Sequence, residues 1–183
     1  MYWIITAVVV IAVIAVIAIY NGLVSRRKEV DNAWAQIDVQ LKRRCDQIPN
    51  LVETVKGYAA HESGVLEKVT RARSAALASH RDTAGRIEAE SHLTGALRNL
   101  MIQVEAYPQL KANQNFLALQ EELTSTENRI SFARQHYNDS ATNYNTAIAL
   151  FPACIFASMF NFRESPLWQI TEAADREVPK VKF

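Results

Sequence analysis

Apolar residues along this chain fall into patterns that change from one segment to the next, and each pattern predicts its own element. From Tyr2 to Tyr20 there is no charged residue, and Thr6 is the only side chain that is neither apolar nor aromatic. A run of about 19 residues makes about 28 Å of helix, close to the hydrocarbon thickness of a bilayer, about 30 Å. Val and Ile dominate it and would favour strand in water, but in lipid an isolated segment satisfies its backbone only as a helix. Tyr2, Trp3 and Tyr20 mark the ends, where amphipathic rings prefer the headgroup layer. A cleaved secretory signal needs a basic stretch ahead of a shorter apolar run, and no Lys or Arg precedes this one. The segment is therefore read as an uncleaved transmembrane anchor. Along the same helix, Ala15, Ala18 and Gly22 share a face; ordinary small-residue filler is a simpler account than close packing of two spans.

Beyond the anchor the period becomes that of amphipathic helix. Phe116, Leu123, Ile130, Tyr137, Tyr144 and Phe151 recur every seventh residue, and Leu119, Thr126, Ala133, Ser140 and Ala147 occupy the complementary position. Large residues facing small ones predict a single long helix of about 55 Å, with Glu121, Glu122, Glu127, Arg129, Arg134 and Asp139 on its other faces. Asn113 or Asn115 is the candidate N-cap, and Pro152 ends or restarts the helix. An earlier seam runs through Val30, Trp34, Ile37, Leu41, Ile48, Val52, Val55 and Ala59, interrupted by Pro49. A proline is poorly tolerated inside a helix and well tolerated at its first position, so the chain either kinks there or starts a new helix, and the second is favoured. Apolar positions then continue to about residue 80, with Gly64 a weak point because glycine costs about 1 kcal/mol against alanine in a helix. His80-Arg81-Asp82-Thr83 reads as a polar connection. Ile87, Leu93, Leu97, Leu100, Met101 and Val104 mark another helix, ended by Tyr107-Pro108.

The expected fold is all-α: one N-terminal transmembrane helix followed by an antiparallel bundle of about four long helices. Its divisions are an anchor at 1–20, a helical-bundle domain at 21–162 and an irregular C-terminal tail at 163–183. Pro152 to Phe162 is apolar nearly all round and too short to span a bilayer. It is read first as a short helix capping the bundle, with a partner or membrane-surface contact as the functional alternative. A short extended piece at Val178 to Phe183 is possible in the tail.

Composition supports few turns and long elements, since glycine and proline number only five each in 183 residues. Twenty Lys and Arg stand against 19 Asp and Glu, so no overall charge favours nucleic acid, which is not expected as a partner. The placement of charge says more. Arg26, Arg27 and Lys28 follow the span and nothing basic precedes it, so the positive-inside rule sets the N-terminus outside and the bundle in the cytoplasm. Lys42-Arg43-Arg44 and Arg71-x-Arg73 fit solvated helix faces more simply than sites for lipid headgroups or an acidic partner.

Candidate chemistry is sparse. A di-metal site in a bundle needs Glu-x-x-His pairs, but Tyr58, Leu77, Ala89 and Ala133 stand three residues before His61, His80, His92 and His136. His61-Glu62 opens like a zinc-protease motif, yet Val65 occupies the place of the second histidine. No Gly-rich phosphate loop or nucleophile elbow occurs. Cys45 and Cys154 cannot build a zinc module and read as small apolar residues, with a bridge conceivable only if the domain lies outside the cytoplasm. No cofactor, metal site or catalytic residue is expected, and the protein is not expected to be an enzyme.

Two blocks carry a resemblance. Ala33-Trp34 through Leu41-Lys42-Arg43-Arg44, Ile48-Pro49-Asn50-Leu51-Val52-Glu53-Thr54-Val55-Lys56-Gly57-Tyr58-Ala59 and His61-Glu62 form the first. Glu105-Ala106-Tyr107-Pro108, Leu110 to Asn113, Asn115-Phe116, Leu119-Gln120, Thr126 to Ile130, Tyr137-Asn138, Tyr144-Asn145 and Phe151-Pro152 form the second. Together they resemble the bacterial LemA family over nearly the whole chain. The resemblance implies a single-span membrane protein with a helical-bundle domain and an N-terminus outside, with no established enzymatic activity or cofactor. One branch of the family takes part in building the magnetosome membrane. Cys45 and Gly64 are read as departures from its usual residues. The polar residues Asn50, Glu53, Lys56, Asn113, Glu127 and Asn128 in these blocks are a candidate partner face, or else interhelical hydrogen bonds, the reading preferred because buried polar groups need partners. The functional expectation is a membrane-anchored interaction or scaffold protein of the bacterial cytoplasmic membrane. Its expected partners are the lipid bilayer, an unidentified membrane or cytoplasmic protein, and a second copy of itself. The alternative is an oligomeric membrane-organising protein, with an enzyme of unrecognised site a distant third.

Overall fold

The computed structural model describes residues 2–59, 63–79 and 83–169. Among these, all regular structure is helical: α1 (Tyr2–Lys56), α2 (Ser63–Ala78), α3 (Thr83–Val104), the single turn α4 (Pro108–Lys111), α5 (Gln114–Ala149) and α6 (Ala153–Met159). The start of α1 is long and apolar enough to cross a membrane, and none of its apolar window is buried in the protein. The described residues divide into two compact units, one within 2–37 and 132–167, the other within 38–131 and 168–169.

In the second unit the core collects Cys45, Ile48, Leu51 and Val55 of α1, Leu66, Val69 and Ala76 of α2, Leu93, Leu97, Leu100 and Val104 of α3, Leu110 of α4, and Phe116 and Leu123 of α5. Spacings of three and four put each set on one helical stripe. Pro49 does not start a helix, contrary to the favoured expectation; it lies inside α1. Its ring occupies an exposed position while Ile48 and Leu51 stay buried, so the seam holds the helix through the proline. The missing N–H leaves the carbonyl of Cys45, one turn back, without its helical donor. Arg73, on the buried stripe of α2, fills the vacancy: its Nε donates to that carbonyl at 2.7 Å.

The break expected at Pro49 falls instead after Lys56. There Gly57 and Tyr58 form a turn in which the Tyr58 and Ala59 amides both donate to the Val55 carbonyl. Gly64 is no weak point inside a helix but the second residue of α2. Asn113 caps α5, its Oδ1 accepting from the Phe116 amide at 3.1 Å and its Nδ2 donating to the Tyr58 hydroxyl at 2.8 Å. His61 and His80, with most of the expected polar connection, fall outside the described residues, as does the extended piece at 178–183.

In the first unit Leu23, Val30, Ala33 and Ile37 are buried, together with Tyr137, Ala141, Tyr144, Ile148 and Ala157. The Trp34 ring meets Tyr137 edge to face at 5.2 Å. Residues 162–167, which have no regular structure, are strapped down by side chains of α5. Asn145 donates to the Ser165 carbonyl and accepts from the Ser165 amide, at 2.9 and 2.8 Å, and Tyr137 Oη donates to the Pro166 carbonyl at 2.6 Å. Burial raises the phenol pKa of both Tyr137 and Tyr144.

The seam of α5 corrects one expectation. Phe116, Leu123, Ile130, Tyr137 and Tyr144 are buried, but Phe151 is 81% exposed. The helix stops at Ala149, two residues short of it, and Pro152 then acts as the N-cap of α6. Outside the helix the heptad no longer decides where a side chain points.

Candidate functional site

A seven-residue step runs through α1 as Val30, Ile37, Arg44 and Leu51, and all four are buried. Arg44, expected on a solvated face, has no exposed side-chain surface. A second step along α3 does the same with Glu90, Leu97 and Val104, and a third with Arg86, Leu93 and Leu100. The register of two helices thus aims three ionisable side chains into the interior of the second unit.

They meet there. Arg44 Nη2 pairs with Glu90 Oε2, and Arg44 Nη1 reaches Glu127 Oε1 of α5 at 2.6 Å and Thr94 Oγ1 at 3.0 Å. Arg86 Nε lies 3.2 Å from Glu90 Oε1, and Arg86 Nη2 lies 3.0 Å from Asp38 Oδ1. Two cations and three carboxylates are chained from α1 through α3 to α5. Burial alone lowers the affinity of Arg44 for its proton, but Glu127 and Glu90 outweigh it and the guanidinium pKa rises. The neighbouring Cys45 thiol is pushed up by burial, reinforced by Glu90, which keeps it protonated and weakly nucleophilic. Both Cys45 and Cys154 are free.

The network reaches solvent at both ends, at Asp38 and at Glu127. Glu127 is partly exposed, and it stands in the wall of a groove of about 300 Å³ with Leu97, Met101 and Leu123 as apolar lining and Arg98, Thr124 and Asn128 among the polar residues. The six residues of the candidate partner face therefore have different tasks. Asn113 caps α5 and Glu127 holds Arg44, while Asn128 lines the groove and Asn50, Glu53 and Lys56 lie exposed toward the end of α1. Arg86, Glu90 and Thr94 escaped sequence reasoning, although the heptad positions of the first two carried the signal. Among the described residues no three His, Cys, Asp or Glu side chains gather as metal ligands.

An apolar N-terminal helix running into packed helices defines an all-α protein with a candidate single membrane anchor. The LemA family pattern matches residues 33–183, and the chain belongs to that family. It is 28% identical to Protein LemA of Metamycoplasma hominis over 83% of this chain and 69% of that protein. It is 23% identical to Magnetosome protein MamQ 2 of Paramagnetospirillum magneticum over 94% of this chain and 75% of the relative. Magnetosome protein MamQ of Magnetospirillum gryphiswaldense is 22% identical, over 87% and 68%.

Proposed function

We propose that this protein is a membrane-anchored interaction scaffold of the bacterial cytoplasmic membrane, with its N-terminus outside and its helical bundle in the cytoplasm, working by binding rather than catalysis. One observation carries the reading: a single unbroken helix, α1, begins as an apolar run with no face in the protein interior and goes on to supply the buried seam of packed helices. The buried charges support binding over chemistry, because Arg44, Arg86 and Glu90 are engaged with one another and with Asp38 and Glu127. The contact surface is the groove between α3 and α5, whose apolar lining and polar residues suit a protein side chain. Arg26, Arg27 and Lys28, just beyond the span, support the orientation.

A photo-crosslinking residue at Thr124 in the groove, compared with one at exposed Lys68 on α2, tests the scaffold in native membranes. A discrete adduct from Thr124 alone is expected; equal, diffuse or absent adducts from a correctly inserted protein overturn the groove as contact surface. Protease digestion of right-side-out spheroplasts tests the orientation, with the bundle expected to survive until the membrane is lysed. A second reading, an oligomeric membrane organiser, is favoured by the large apolar side chains exposed at 150–160 and by the magnetosome proteins among the relatives. Purified protein that reshapes vesicles would support it.

A further inference from the structure

We propose that the corner joining α5 to α6, with the turn that follows α6, is a second membrane contact, seated in the headgroup and upper acyl layer beside the end of the transmembrane helix. The inference rests on the reading of Tyr2–Tyr20 as the span. Tyr20 closes that apolar run, and amphipathic rings in this position mark the bilayer interface. The rings of Phe160 and Phe162 both pack edge to face on Tyr20, at 5.0 and 5.8 Å. These contacts hold the end of α6 at the level where the span leaves the hydrocarbon.

Backbone geometry makes the double contact possible. Asn161, between the two phenylalanines, has a φ of 57°, the left-handed conformation that asparagine tolerates better than other side-chain-bearing residues. The Phe162 amide then donates back to the Ala157 carbonyl at 2.9 Å and the Asn161 amide to Ser158 at 3.4 Å. This helix-ending motif folds the chain so that residues on both sides of Asn161 face the same tyrosine.

Apart from the half-buried Phe156 and Phe162, the large side chains of the corner keep much of their surface outside the protein, Phe160 included although one edge of its ring meets Tyr20. Leu150, Phe151, Ile155, Met159 and Phe160 are each at least half exposed, and Ala157 is the only fully buried residue of α6. A segment serving merely to cap the bundle would bury its large residues and expose its small ones. Charge follows the same line. No Asp, Glu, Lys or Arg occurs from Ser140 to Phe162, and the first charge after it is Arg163, just as the first after the span is Arg26. An uncharged corner with exposed Phe, Ile, Leu and Met, followed by a basic residue, has the composition of a segment that enters the interface by about 5–10 Å.

The test uses the full chain in phosphatidylcholine–phosphatidylglycerol vesicles. Single cysteines at Phe151→Cys, Met159→Cys, Ile11→Cys and Lys68→Cys, each in a Cys45→Ala/Cys154→Ser background, carry a polarity-sensitive fluorophore. Spin-labelled lipids, one with its nitroxide near the headgroup for the corner and one with it deep in the acyl chain for the span, and aqueous iodide serve as quenchers. Labels at 151 and 159 are expected to emit to the blue of the label at 68, with several-fold stronger quenching by the lipid and several-fold weaker quenching by iodide. Quenching at 151 and 159 like that at 68, while the label at 11 is quenched by lipid, overturns the corner contact alone. Failure of lipid to quench the label at 11 overturns the span itself and this inference with it. Shielding at 151 and 159 from both quenchers that disappears on dilution overturns the proposal in favour of a second copy. In the variant Phe151→Asp/Met159→Asp, whose sites are exposed, a label at Ile155→Cys is expected to lose most of its lipid quenching without loss of helical content.

Discussion

Arg44 keeps its charge in the interior because Glu90 and Glu127 neutralise it, and such an arrangement is more damaging to halve than to remove. Taking one partner from a buried pair leaves a charge without compensation and costs about 3–5 kcal/mol, whereas replacing both with apolar residues of similar volume is often neutral or better. Glu90→Ala is therefore expected to destabilise the protein by about 3–5 kcal/mol; Arg44→Met/Glu90→Leu leaves Arg86 with Asp38 alone just as Glu90→Ala does, but it also removes the second buried cation and is expected to cost less, in chemical denaturation of the detergent-solubilised chain. Tyr137 supplies a pH dependence. Burial raises its pKa, so the folded state holds the proton after the unfolded state has begun to release it at about pH 10. The contribution is complete below that pH and is lost as pH rises through the folded value. Tyr137→Phe should reduce the alkaline loss of stability and, by removing the donor to the Pro166 carbonyl, cost about 1 kcal/mol at neutral pH. Position was legible for these residues: Arg44 sits seven residues from Ile37 and from Leu51. Partnership was not, because Glu90 is 46 residues away in sequence, and a charged residue on a buried stripe cannot be told from one on a solvated face until its partner's helix is placed.

Among the elements, α1 turns on the exchange between Pro49 and Arg73. The proline removes one helical donor, and the arginine of a neighbouring helix replaces it. Arg73→Met would leave the Cys45 carbonyl unsatisfied, at a cost of about 1–3 kcal/mol. In Pro49→Ala/Arg73→Met the new amide can bond the same carbonyl, so the double variant is expected to be more stable than Arg73→Met alone. Strictly additive effects in the double-mutant cycle would refute the exchange. The periodic stretches of α3 and α5 were readable because a stripe recurring over several turns leaves little freedom of assignment. Pro49 misled because a local rule about proline gives way when residues on both sides of it are buried along one seam. Phe151 misled in the opposite sense: a seven-residue rhythm carried past the last turn of α5 onto an exposed side chain.

For the whole molecule, the orientation proposed above turns on Arg26, Arg27 and Lys28. Replacing Arg26, Arg27 and Lys28 together with Asn is expected to abolish a unique orientation, seen as mixed compartment signals from a reporter fused after Phe183; an unchanged single orientation would mean that something else sets it. The long apolar N-terminal helix and the helical class were legible because an uncharged run of that length and a sustained seven-residue period are each carried by many residues. The division into two compact units was not, since both α1 and α5 contribute to each and no loop or change of composition announces where one ends. Membership of a family gives the bond between Arg73 and the Cys45 carbonyl a historical consequence. A relative that never acquired the proline already fills that carbonyl from its own helix, and its arginine has no such task. Proline and arginine at these two positions should therefore be gained and lost together across descent, and an alignment in which they vary independently would show that the bond is incidental.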